Sequence, residues 1–193
     1  MSALKMVVFY GSVRSQRQGI KAAHFIMNKC RERGHEAVLV DPQEFALPLL
    51  DKMYKEYAPG SAPVLLQRLA DLVIPADAYV VVSGEYNHSV PPALANLLDH
   101  FLEEYFFKPS GIVCYSQGSF GGVRASIQLR ALLGELGMSS IPSILPFPKA
   151  QDALTEDGVR TDDRGERAAG KFFAELEWYT QALKDARERG TPR

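Results

Sequence analysis

The feature that most constrains this chain is an alternation. Short, almost purely apolar runs recur, and each is followed by a turn and a longer stretch with apolar residues at helical spacing. Lys5–Tyr10 (KMVVFY) is the first run and residues 78–83 (AYVVVS) the third. Neither shows a polar face, so each reads as a strand buried on both sides, as strands of a parallel sheet are. Further strands are predicted at 37–41, 111–116 and 139–145. Helices are predicted from 16–19 to Arg33, over 64–74, from Pro92 to Phe106, over 123–136 and over 166–187. Gly34 and Gly137 stop the first and fourth of these, and the prolines at 91 and 92 suit a first helical turn. Alternating strands and helices imply an α/β fold. Here that is a three-layer sandwich on a five-stranded parallel sheet of order 2-1-3-4-5 with right-handed crossovers.

The length, 193 residues, suits a single domain, taken as residues 1–187 with a frayed tail at 188–193. Twenty-two Lys and Arg against 23 Asp and Glu leave a net charge of −1, which argues against a nucleic-acid surface. No signal peptide and no apolar stretch of membrane-spanning length is seen, so a soluble chain is expected. Cys30 and Cys114 lack CxxC spacing and read as buried free thiols, which fits a reducing cytoplasm. Residues 42–60 form a long irregular connection whose Leu47, Leu49, Leu50, Tyr54 and Tyr57 are expected to pack on the domain or on a partner subunit. Residues 150–165 read as polar and irregular.

In this sheet order, ligands bind beyond the carboxyl ends of the strands, between the first and the third. Three loops reach that point. GSVRSQRQG (11–19) opens a helix whose free amides and dipole attract an anion. Ser12 and Ser15 add hydroxyls, and Arg14 and Arg17 add planar cationic forks suited to phosphate. Neither GxGxxG nor GK[ST] is present, so this is neither a dinucleotide fingerprint nor a Walker A loop. Taken alone it is also compatible with an ordinary helix start bearing solvated arginines. In GEYNHSVPP (84–92), Tyr86 can lie against a flat ligand while Asn87 and the loop amides meet its polar edge. In SQGSFGG (116–122), three glycines permit close backbone approach to a ring, and Arg124 beyond them reads as a solvated or interface arginine.

Together, GSVRSQRQG, EYNHSVPPALANLLDH and YSQGSFGGVRASIQLRALLGELGM resemble, in order, the motifs of the NADPH-dependent FMN reductase family, which includes quinone, chromate and azo-dye reductases. The resemblance runs from Met6 to Pro146. It implies a flavodoxin-like fold, FMN as cofactor and NADPH or NADH as co-substrate. Hydride would pass through flavin N5 to a quinone, free flavin or similar small acceptor by a ping-pong mechanism, with no dedicated catalytic acid or base. By the same resemblance Ser12, Arg14, Arg17, Gln18 and Gly19 hold the FMN phosphate. Glu85, Tyr86 and Asn87 line the isoalloxazine, and Ser116, Gly118, Ser119 and Gly121 approach its ring or ribityl chain. Members form homodimers or homotetramers, and the helix with Leu97, Asp99, His100 and Phe101 is the candidate contact. The chain departs from the family at Arg17–Gly19, where Ser and Asn are frequent, at Gly84 in place of Pro, and at Ala95 in place of Lys.

Other readings use the same residues. A non-enzymatic flavin electron carrier, or a redox-sensing binding protein, would share the fold and cofactor. Flavodoxins, however, are usually strongly acidic and carry a Thr-rich phosphate loop. Cys114-Tyr115-Ser116-Gln117-Gly118 approaches a hydrolase nucleophile elbow, but His24, His35, His88 and His100 all precede Ser116, against the required order. His88, Asp99 and His100 lack metal-ligand spacing, and no metal site is expected.

Overall fold

The structure is a computed structural model and describes residues 3–162 and 165–192. Its strands are β1 (Lys5–Tyr10), β2 (Glu36–Val40), β3 (Ala78–Gly84), β4 (Pro109–Tyr115) and β5 (Ser139–Phe147). Its helices are α1 (Ile20–Glu32), α2 (Val64–Val73), α3 (Pro92–Asp99), α4 (Val123–Glu135), the short α5 (Ala150–Ala153) and α6 (Glu166–Glu188). All strand pairs are parallel, in the order β2-β1-β3-β4-β5. This is the topology the sequence predicts.

Alternation along the strands divides the core in two. Met6, Val8 and Tyr10 face α1 and α6, packing with Ile26, Phe25, Phe172 and Phe173. Val7 and Phe9 face α2, α3 and α4, packing with Leu69, Leu98 and Leu133. Both faces of β1 and β3 are therefore buried, which is why their sequences are apolar throughout. Cys30 and Cys114 are buried free thiols, and burial pushes the pKa of each up to about 12.

Three boundaries differ from expectation. α1 begins at Ile20, because 15–19 form turns closed by Ile20 N–H donating to Arg17 O at 3.1 Å. α3 ends at Asp99, not Phe106: Phe101 and Tyr105 turn inward to build an aromatic cluster with Tyr79 and Phe9, and Tyr54 N–H donates to the His100 carbonyl at 2.7 Å. Burial of those rings overrides the helical propensity of the stretch. β5 runs on to Phe147 despite Pro142 and Pro146, which an edge strand tolerates because its outward amides have no partner to lose.

The polar stretch after β5 is more ordered than expected. It holds α5 and an antiparallel bridge between Leu154 and Arg160, and it docks on α1. His24 Nδ1 bonds to Glu156 O at 2.9 Å and Asn28 Nδ2 donates to Asp157 O at 2.8 Å. Residues 163–164 of that stretch and Arg193 of the tail lie outside the described residues.

Leu47, Tyr54 and Tyr57 pack on the α2/α3 side of the chain's own core, while Leu49 and Leu50 stay exposed. Leu97, His100 and Phe101 are buried against the same core and are not available to a partner subunit; Asp99 is half-buried. Among the described residues no helix is long and apolar enough to cross a membrane, and no group of three or more His, Cys, Asp or Glu is placed to hold a metal ion.

Candidate functional site

β1, β3 and β4 end side by side, and a crevice of about 220 Å³ opens beyond their carboxyl ends. Its floor is aromatic. Tyr115, the last residue of β4, lines it and stacks on Tyr10 of β1 at 6.2 Å between centroids and 22° between planes. Burial raises the pKa of both phenols, so both are neutral at physiological pH. Gly19 is required here by close approach: a Cβ at this position would lie 1.9 Å from the Tyr115 ring.

The loop after β1 forms one wall. Among the described residues, the amide N–H groups of 15–19 have no protein acceptor. Gln16, Arg17 and Gln18 of that segment line the crevice, just before the positive end of the α1 dipole. Ser12 is buried, and its hydroxyl lies 3.1 Å from the Tyr86 hydroxyl across the crevice. The two arginines differ. Arg17 is held by Asp41 at the end of β2, lies over the Tyr10 ring at 5.5 Å and donates to Ser12 O at 3.4 Å. Arg14 is exposed and makes no ion pair among the described residues, so its charge is available to a ligand.

The loop after β3 is a tight hairpin. Tyr86 and Ser89 exchange backbone bonds at 3.1 and 2.9 Å, and Asn87 and His88 between them have φ of +51° and +62°. Positive φ at both central residues is the mark of a type I′ turn, whose preferred sequence is Asn-Gly. The turn sets the Tyr86 side chain against the crevice and leaves Asn87 and His88 exposed at its rim.

Glu85 does more than line the crevice. Its Oε2 accepts from the amides of Arg124 at 3.0 Å and Ala125 at 3.4 Å, so it caps the N-terminus of α4 from another loop. Its Oε1 lies 3.5 Å from Arg124 Nη1. In the loop after β4, the Ser116 hydroxyl donates to Gly118 O at 3.1 Å, and Lys149 N–H donates to the same carbonyl at 3.0 Å. Gly122 stands at φ +80°, and a Cβ there would meet Tyr115 O at 2.6 Å, so the chain can leave β4 for α4 only through glycine.

Of the residues named from sequence, Ser12, Arg14, Arg17, Gln18, Glu85, Tyr86 and Ser116 converge on the crevice. Gly19 lies behind Tyr115, and Gly121 is buried against Pro148. Asn87, Gly118 and Ser119 are exposed and do not line it. Sequence reasoning missed Tyr115, Gln117 and Ala150, all of which do. Tyr115 was legible as the aromatic end of a strand entering a glycine loop. Ala150 was not, because a small apolar residue in a polar connection carries no chemical signature.

A family model described as NADPH-dependent FMN reductase matches residues 4–152. The chain belongs to the NADPH-dependent FMN reductase family. It is 31% identical over 186 residues to an NAD(P)H-dependent FMN reductase of Schizosaccharomyces pombe, covering 87% of this chain and 88% of that protein. It is 29% identical over 174 residues to the NAD(P)H-dependent FMN reductase LOT6 of Saccharomyces cerevisiae, covering 81% and 87%. The fold is also that of FerB, a flavoenzyme NAD(P)H:(acceptor) oxidoreductase of Paracoccus denitrificans, with a TM-score of 0.72 at 22% identity over 95% of this chain and 98% of that one. The reductase is thus a flavodoxin-like FMN enzyme that uses NAD(P)H.

Proposed function

We propose that this reductase carries electrons from NAD(P)H to a quinone, free flavin or similar small acceptor by a ping-pong mechanism, with FMN held in the crevice at the ends of β1, β3 and β4. The observation that carries the reading is the tail end of that crevice. Acceptor-free amides at 15–19, the Ser12 hydroxyl and an unpaired Arg14 gather beside a neutral aromatic floor. That donor set fits a flat molecule with an anionic tail.

FMN, when bound, would supply the redox chemistry by which NAD(P)H and one proton reduce a quinone to its hydroquinone, leaving NAD(P)⁺. The chain supplies position and electrostatics. Ser12, Arg14 and the amides of 15–19 hold the phosphate. Arg17 serves chiefly to pin its loop, because Asp41 already takes its charge. Tyr86 and Tyr115 present flat apolar faces, and the backbone amides of the turn after β3 would meet the polar edge of the ring, while the Asn87 side chain stays outside the crevice lining. Glu85 orients the two later loops relative to each other through the α4 N-terminus.

The buried, protonated thiols suit a reducing cytoplasm. Exposed Val13, Leu49 and Leu50 supply an apolar face for a homodimer or homotetramer, which sedimentation would detect. The experiment that tests the function is an anaerobic half-reaction followed by steady-state kinetics. NADPH or NADH alone should bleach protein-bound FMN, and initial rates against menadione should give parallel double-reciprocal lines. Intersecting lines would contradict the ping-pong order, and flavin that stays oxidised would contradict the function.

A further inference from the structure

Two side chains at the crevice rim are left without a part in holding FMN. Phe120 is 61% exposed, although burying a ring of that size would contribute about 2 kcal/mol. It stands in the loop after β4, between crevice-lining Ser116 and Gln117 on one side and Gly121 and Gly122 on the other. Arg124 lies over its ring, with the guanidinium carbon 4.4 Å from the centroid. Arg124 is in turn fixed by Glu85, a crevice residue, at 3.5 Å, while 41% of its side chain remains exposed. The stack holds a ring and a guanidinium together at the mouth of the site, with N–H donors left over on the open side.

Charge at the rim points the same way. Arg17 is matched by Asp41. The Glu85 carboxylate is shared between two α4 amides and Arg124. Arg14 and Lys149, both exposed, make no ion pair among the described residues. Arg14 in the crevice lining and Lys149, next in sequence to the lining residue Ala150, are thus uncompensated cations in a chain of net charge −1.

We infer that Phe120 and Arg124 form an acceptor platform that selects planar aromatic acceptors bearing an anionic substituent, such as a sulfonate, carboxylate or phenolate. The acceptor's ring packs on the exposed Phe120 ring, and its anionic group bonds the open edge of the Arg124 guanidinium. This deepens the proposed function and rests on it, because it assigns the acceptor class of the same site. The reducing nucleotide is also anionic and aromatic, and the experiment separates the two.

The test compares 1,2-naphthoquinone with its 4-sulfonate as acceptors for FMN-loaded wild type, Arg124→Gln and Phe120→Leu. The preference for the sulfonate, taken as a ratio of kcat/KM values, cancels the difference in redox potential when variant and wild type are compared. Loss of one charge-assisted hydrogen bond should lower that preference about tenfold in Arg124→Gln, mainly through KM. Added salt should lower it in wild type as well. Binding of redox-inert naphthalene-2-sulfonate to the FMN-loaded protein, followed by calorimetry, should weaken in both variants. An unchanged preference with unchanged naphthalenesulfonate binding overturns the platform. A loss confined to kcat/KM for NAD(P)H also overturns it, by assigning the pair to the nucleotide. Both results leave the reductase reading standing, which fails if NAD(P)H leaves the FMN of the wild type oxidised.

Discussion

At the scale of single residues, the two arginines of the first loop show how neighbours decide what a charge can do. Arg14 and Arg17 are chemically identical and three positions apart in sequence. Asp41 neutralises one and leaves the other to a ligand. Arg14→Ala should therefore weaken FMN binding about tenfold, the value of one charge-assisted contact, and leave riboflavin, which lacks the phosphate, unchanged. Quenching of flavin fluorescence measures both. On the far side of the sheet, Glu177 is buried between Arg33, which grips both its oxygens, and the His35 ring, 2.8 Å away. His35 accepts the Leu4 N–H at Nδ1, so it donates from Nε2. Burial alone would raise the Glu177 pKa, but the bonds from Arg33 and His35 outweigh it and the net shift is downward. A carboxylate with a depressed folded pKa stabilises the fold above its unfolded pKa of about 4.3, and that contribution is lost as pH falls through the lower folded value. Glu177→Ala should cost about 3 kcal/mol in urea unfolding at neutral pH, and the gap to wild type should narrow on acidification below pH ~4.

At the scale of elements, the site depends on loops that brace one another. Glu85 follows β3 yet caps α4, which follows β4, so two of the three loops share one carboxylate. Glu85→Gln keeps the shape and removes the charge from a helix N-terminus, which should lower stability by about 1 kcal/mol. Because Arg124 loses its anchor too, the variant should also bind naphthalenesulfonate more weakly, and calorimetry would show it. This bracing was not legible in the sequence, because the partners lie 39 residues apart. What was legible were elements whose signal is local. β1 and β3 are apolar throughout because both faces are covered, and the first loop is identifiable because amides, serines and arginines crowd into nine residues. α3 was overextended, because residues 100–106 have helical composition and only the aromatic cluster around Tyr105 turns them inward. The contact assigned to Leu97, His100 and Phe101 failed for the same reason: apolar residues at helical spacing show that a face is buried, but not against what.

At the scale of the whole molecule, the parallel sheet places its chemistry at one end. Glycine loops, free amides and unpaired cations gather beyond the strands' carboxyl ends. A second crevice, of about 260 Å³, opens near the start of β1 and β2 against the end of α2, lined by Lys5, Glu36, Asp71 and apolar neighbours, without a comparable donor set. The account therefore rests on where FMN sits. Backbone amide shifts of ¹⁵N-labelled protein, recorded during titration with FMN and separately with riboflavin, report this directly. FMN should move the amides of 15–19 along with those of 84–89 and 115–118, while riboflavin should move the later two groups and leave 15–19 nearly still. Shifts centred on Lys5, Glu36 and Asp71, or a first loop equally indifferent to both flavins, would contradict the account.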